Sequence, residues 1–124
     1  MIKIKTKEEI SILREGGKRH AEIMRNIVKL VTPGVSTSFL NDETTRMIID
    51  NGDTPSLLNF RPSGSKRPYP ASICISVNDE IVHGIPNENP KILKEGDMVS
   101  LDFAMTHNGM VTDMAVTVPV GQVS

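Results

Sequence analysis

Asp102 and Asp113 are the two side chains through which this sequence could do metal chemistry, and a turn between them decides whether they meet. Asn108-Gly109 is the preferred pair for a two-residue type I′ hairpin turn, because both central positions need positive φ. With that turn, His107 faces Met110, and counting outward sets Leu101 against Val116, Asp102 against Ala115 and Ala104 against Asp113. Directly opposed residues share a face of the ladder, as do alternate residues of one strand. One face therefore collects Val99, Leu101, Phe103 and Met105 with Met114, Val116 and Val118, which suits a core. The other collects Ser100, Asp102, Ala104, Asp113, Ala115 and Thr117. On it Asp102 and Asp113 are diagonal neighbours, with Cα atoms roughly 7–8 Å apart. Ala104 and Ala115 beside them leave room for an ion. Two carboxylates pushed together repel, and one keeps its proton unless a cation intervenes. Hard divalent metals with oxygen ligands resolve that conflict. Two Asp residues on the outer face of a hairpin are more often simply solvated. A one-residue shift of the turn would also send them to opposite faces.

The elements that must hold this hairpin can be read from pattern. Thr6-Lys7-Glu8-Glu9 is a capping box, and behind it Ile10, Leu13, Gly17, Ala21, Met24, Val28 and Val31 predict one stripe of a helix from Lys7 to Leu30. Gly16-Gly17 weakens that helix but permits close approach of another element. Thr32-Pro33-Gly34 ends it. Ser36 is a second N-cap, for a helix showing Leu40, Thr44, Met47 and Ile48 on one side and stopped by Asn51-Gly52. Asp53 to Pro70 reads as loop, with Arg61 to Pro68 a basic, solvated centre. Then come strands. Ile73, Ile75 and Val77 alternate with Cys74 and Ser76, Asn78-Asp79 offers a turn before Glu80 to His83, and the hairpin strands run over about 98–105 and 110–120. Two helices followed by a run of strands predicts an α+β fold, two helices packed on an antiparallel sheet. No internal repeat is visible, and residues 1–124 read as a single domain.

Composition narrows the function further. Hydrophobic residues are 38% and charged residues 23% of the chain, ordinary for a globular domain. Fourteen basic against fifteen acidic residues leave a formal charge of -1, which argues against nucleic acid or an anionic membrane as partner. One cysteine, Cys74, excludes an internal disulfide and fits a reducing compartment. No stretch reaches the ~20 apolar residues of a membrane span, and the N-terminus has no apolar signal-peptide segment. The expectation is a soluble, cytoplasmic protein. The seven Met residues read as core filler.

Three segments then carry a resemblance: Ile73 to Pro86 (ICISVNDEIVHGIP), Leu93 to Asp102 (LKEGDMVSLD) and Asn108 to Asp113 (NGMVTD). With the opening Ile4 to Ile10 and the Pro33 to Thr37 turn, their order and spacing resemble type I methionine aminopeptidase. The resemblance runs along the whole chain. It implies half of a pita-bread fold, in which two similar α+β halves enclose a dinuclear metal site. By position, Asp102 looks like the carboxylate that chelates one metal and Asp113 like the one that bridges both. His83 matches the histidine that positions the scissile peptide and stabilises the tetrahedral intermediate. Tyr69, Phe60 and Cys74 fall where the family lines its methionine pocket. His20 and His107 match no functional position and are expected at the surface.

The implied reaction is metal-assisted removal of the initiator methionine from peptides and nascent chains. Its cofactors would be two divalent ions per complete site (Co, Mn, Fe or Zn). The family's remaining ligands, a His and two Glu, its general-base Glu and a second substrate His belong to a second half. Three readings follow. The chain is completed by a complementary C-terminal half; or two copies form a homodimer that gathers four Asp residues in one cleft; or it is a catalytically incomplete half acting as a binding or assembly module. Retained Asp102, Asp113 and His83 speak against the third, as does the near-neutral charge against RNA binding. A half-domain should also expose apolar surface that the complete fold buries, which favours association.

Overall fold

A computed structural model describes residues 5–58, 68–78, 85–87 and 90–121. Its elements are α1 (Lys7–Leu30), α2 (Thr37–Asp50), β1 (Thr54–Pro55), β2 (Cys74–Val77), β3 (Met98–His107) and β4 (Met110–Pro119). Both helices start as the capping residues require. Thr6 accepts from the Glu9 amide while Glu9 accepts from the Thr6 amide, and Ser36 accepts from the Phe39 amide. The expected strand over Glu80 to His83 lies outside the described residues.

The sheet is organised around β3. It pairs antiparallel with β4 along its whole length, from Met98↔Pro119 to His107↔Met110. That occupies one edge of β3, so β2 (Cys74↔Asp102 to Val77↔Val99) and β1 (Pro55↔Met105, Thr54↔Thr106) share the other. Asn108 and Gly109 form the turn at φ 47° and 82°. The hairpin register is the expected one. The segment after Asp53 departs from the expected loop, because Thr54–Pro55 adds a two-residue strand; two residues, one a proline without an N–H, leave no periodicity to read.

Val99, Leu101, Phe103 and Met105 are fully buried, and Met114, Val116 and Val118 pack against the same core. Each such large side chain contributes about 1.5–3 kcal/mol by leaving water. α2 buries Leu40, Thr44 and Ile48 as expected, plus Thr37 and Asn41. These polar groups are satisfied. Thr37 Oγ1 donates to the Pro86 carbonyl at 2.9 Å and accepts from the Lys91 amide at 3.0 Å, and Asn41 Oδ1 accepts from the Ser72 amide at 2.8 Å. They fasten the connectors on either side of β2 to the first turns of α2.

α1 meets the sheet along a line rotated about one residue from the predicted stripe. Gly16, His20, Ile23, Met24 and Ile27 are buried, whereas Ile10 is exposed and Leu13, Gly17, Ala21 and Val28 are only partly covered. A glycine and a histidine begin that line, so apolar side chains alone misplace it. At Gly16 α1 comes close to the end of β3, since a Cβ there would stand 3.4 Å from His107 Cβ.

The two histidines expected at the surface are both buried. His20 stacks on Phe103 with centroids 4.2 Å apart, and its Nδ1 lies 2.7 Å from Thr112 Oγ1, pinning α1 to β4 one residue before Asp113. Burial lowers its pKa, opposed by the charge of Asp113 and the Phe103 backbone. His107 Nδ1 sits 2.7 Å from Asp53 Oδ1; Arg19 reaches the other Asp53 oxygen at 3.4 Å and the Asn51 carbonyl at 2.7 Å. One buried carboxylate thus ties α1 to the end of β3, and Arg19 ties α1 to the end of α2.

Two outcomes follow. Gly109→Ala places a Cβ at φ 82° and should cost about 1 kcal/mol in urea unfolding; a change of a few tenths would deny the turn its role. Because His20 is held below its ordinary 6.5 in the fold, only the unfolded chain takes up its proton just below that pH. In chelator, stability should hold above pH 6.5 and fall as pH drops below it, by at most about 1.4 kcal/mol per unit. His20→Gln should flatten that slope; an unchanged slope would refute the assignment.

Candidate functional site

The sheet face turned away from the helices carries the candidate site. On it Asp102 stands opposite Ala115 and Asp113 opposite Ala104, so the carboxylates occupy the expected diagonal positions, and both are exposed. Strand alternation does this: each Asp sits between two residues that turn to the core, Leu101 and Phe103 for the first, Thr112 and Met114 for the second. Further along the same face Ser100 and Thr117 hydroxyls lie 2.9 Å apart, so the register persists beyond the site.

Cys74 extends the row. It pairs with Asp102 across the β2–β3 ladder, which lines up Cys74, Asp102 and Ala115 over three neighbouring strands. Partial burial pushes its thiol up, and the charges of Asp102 and Asp113 push the same way against a Tyr69 hydrogen bond. Both carboxylates therefore act on one sulfur. The Tyr69 hydroxyl lies 3.2 Å from Cys74 Sγ and 3.1 Å from the Ile73 carbonyl. Four of the six candidate site residues are thus gathered at one place. Phe60 and His83 lie outside the described residues.

The donor set suits a hard divalent cation in type and falls short of one in number. Two carboxylates supply anionic oxygens, and small Ala104 and Ala115 flank them. No group of three or more His, Cys, Asp or Glu able to hold a metal occurs among the described residues. Even tetrahedral sites take four ligands, and Ca²⁺ or Mg²⁺ at least six. Among the described residues no helix is long and apolar enough to cross a membrane.

The features that composition and periodicity did not reveal are the buried pairs, Asp53 with His107 and His20 with Thr112. Their partners are separated by 54 and 92 positions, and nothing local marks either pairing.

Known proteins share the sequence and fold of this chain. The chain is 38% identical over 121 residues to the methionine aminopeptidase of Aquifex aeolicus, covering 98% of this chain and 46% of that one. It is 39% identical over 124 residues to methionine aminopeptidase 1 of Bacillus subtilis, covering 100% and 47%. The crystal structure of methionine aminopeptidase from Thermotoga maritima superposes on all of this chain and 47% of its own with a TM-score of 0.85, at 34% identity. The chain spans about half the length of these relatives, and its architecture is half of a pita-bread fold. Residues 11–124 match the profile of metallopeptidase family M24, and the chain therefore belongs to that family, resembling the N-terminal half of its type I methionine aminopeptidases.

Proposed function

We propose that this chain provides half of a catalytic centre for metal-dependent removal of the N-terminal methionine from peptides and nascent chains, in the cytoplasm. The observation that carries the reading is the diagonal placement of Asp102 and Asp113 on an exposed sheet face, in a chain similar to methionine aminopeptidases along its whole length.

Asp102 and Asp113 are the residues that would hold the divalent ions. When bound, such ions polarise a peptide carbonyl and make water nucleophilic near neutral pH. The protein's own part is to hold the two carboxylates on one face, where a cation would favour their charged forms. Cys74, whose thiol is pushed up, stays neutral beside them. As a small apolar group it suits a methionyl side chain and does not compete as a thiolate for the metal. Tyr69 holds Cys74 from one side; by the family resemblance Phe60 would line the methionine pocket with them, and His83 would position the scissile peptide. Neither a general base nor the remaining ligands are among these residues, so turnover requires a second set of groups from a complementary half or a second copy.

The second reading, a catalytically incomplete binding or assembly module, draws on the lack of any third metal-binding side chain beside the two Asp residues among those described.

Calorimetric titration with Mn²⁺ or Co²⁺ should show binding that weakens more than tenfold in Asp102→Asn and in Asp113→Asn, since even outer partners of a ligand cost 10–100-fold. Their melting temperatures without metal should stay at or above wild type, because each substitution removes a repelling charge from an exposed face. Affinity equal to wild type would remove both residues from the site. Hydrolysis of a Met-initiated tripeptide with the same ions should be lost in Asp102→Ala. Turnover that survives it would overturn the assignment, and a wild type that binds metal without turnover would favour the module.

A further inference from the structure

The core face of the hairpin repeats a diagonal of its exposed face. Asp102 opposes Ala115 and Asp113 opposes Ala104, which makes the two carboxylates diagonal neighbours. Phe103 opposes Met114 and Thr112 opposes Met105, so Phe103 and Thr112 form the matching diagonal behind them, one residue nearer the turn. A single side chain spans this second diagonal. His20 of α1 stacks on Phe103 with ring centroids 4.2 Å apart, and its Nδ1 lies 2.7 Å from Thr112 Oγ1. The imidazole therefore touches the residue after one carboxylate and the residue before the other.

Both contacts restrict position. His20 and Phe103 are fully buried, and a close-packed interior leaves stacked rings little room to slide. Thr112 is held at both branches of its Cβ. His20 holds the hydroxyl, and α1 covers the methyl, since a Cβ on Gly16 would stand 3.6 Å from Thr112 Cγ2. A β-branched side chain is stiff about χ1, so fixing it also fixes the backbone that leads into Asp113.

The ladder itself leaves this work to the flanking residues. In a two-residue hairpin His107 and Met110 form a hydrogen-bonded pair, and such pairs alternate along the strands. The Asp102–Ala115 and Ala104–Asp113 pairs are then the non-hydrogen-bonded ones. Stability alone does not account for an imidazole at position 20. The Phe103 backbone influences the ring, yet Nε2 is buried with no hydrogen-bond partner among the described residues. An apolar side chain would avoid that cost.

We propose that His20 is a positioning residue for the candidate metal site: through Phe103 and Thr112 it sets, from behind the sheet, the spacing of Asp102 and Asp113. It acts through the strands and not as a ligand, because it is fully buried on the opposite side of the sheet. This deepens the functional reading above and rests on it for the ion.

The test separates spacing from stability. Thr112→Val removes the hydroxyl at constant shape and should weaken calorimetric Mn²⁺ binding about tenfold, the low end for groups that orient a ligand. Thr112→Ser keeps the hydroxyl and should bind as wild type does. Combining His20→Leu with Thr112→Val removes both polar partners, so the melting temperature should return to that of wild type or above. Its affinity should nevertheless stay about tenfold down. Recovery of affinity together with melting temperature, or Thr112→Val binding as tightly as wild type, would refute the positioning role. Amide hydrogen exchange in chelator supplies a readout that needs no metal. Exchange at Thr112 and Met114 should quicken in the combined variant, while Val118, far from His20, keeps its wild-type rate. Unchanged exchange at Thr112 would also sink the proposal. A wild type that binds no Mn²⁺ while exchange behaves as expected would leave the restraint standing and overturn the metal reading. If the combined variant fails to fold, Thr112→Val against Thr112→Ser decides, at a temperature where both are folded.

Discussion

The pairing of His107 with Met110 across Asn108-Gly109 fixes every later pair of β3 and β4, because a ladder has no freedom once its first rung is set. From that rung follows a separation of tasks. Odd-numbered residues of β3 enter the core, even-numbered ones face outward, and β4 answers with the opposite parity. The two carboxylates share a face only because this parity holds. Three interactions reinforce it near the turn: the Asp53–His107 contact at the end of β3, Gly16 of α1 beside it, and His20 gripping Thr112 of β4. The turn sets the register, and these contacts from behind the sheet hold it.

Much of this was legible in the residues themselves. Thr6 with Glu9, Ser36, and Asn51-Gly52 are local signals whose physics needs no partner elsewhere in the chain, and the helices begin and end where they say. Asn108-Gly109 is another, and through parity it carried information out to Asp102 and Asp113. What escaped was non-local. The burial of His20 depends on Phe103 and Thr112, and that of His107 on Asp53, and no periodicity encodes such meetings. Because the buried line of α1 begins with Gly16 and His20, the apolar stripe alone pointed one residue away. The short β1 strand was hidden for a simpler reason, being two residues long.

The candidate site was legible in kind rather than in extent. Parity placed the two carboxylates together, whereas the row linking Cys74 to Asp102 needed the β2–β3 register, which no turn between those strands announces. The electrostatic effect of both Asp residues on Cys74 ties this row into one environment. Membership of family M24 supplies the chemical context for such a row.

The clean alternation of the hairpin also shapes how this protein can change over generations. Residues that hold the molecule together and residues on the exposed face of Asp102 and Asp113 belong to different sets, interleaved in sequence yet separated by the thickness of one sheet. Substitutions at 100, 102, 104, 113, 115 and 117 change the exposed face while Val99, Leu101, Phe103 and Met105 keep their packing. Variants could therefore change the charge and size of that face without first losing the packing of the core. A scaffold arranged this way favours diversification of its chemistry over diversification of its shape.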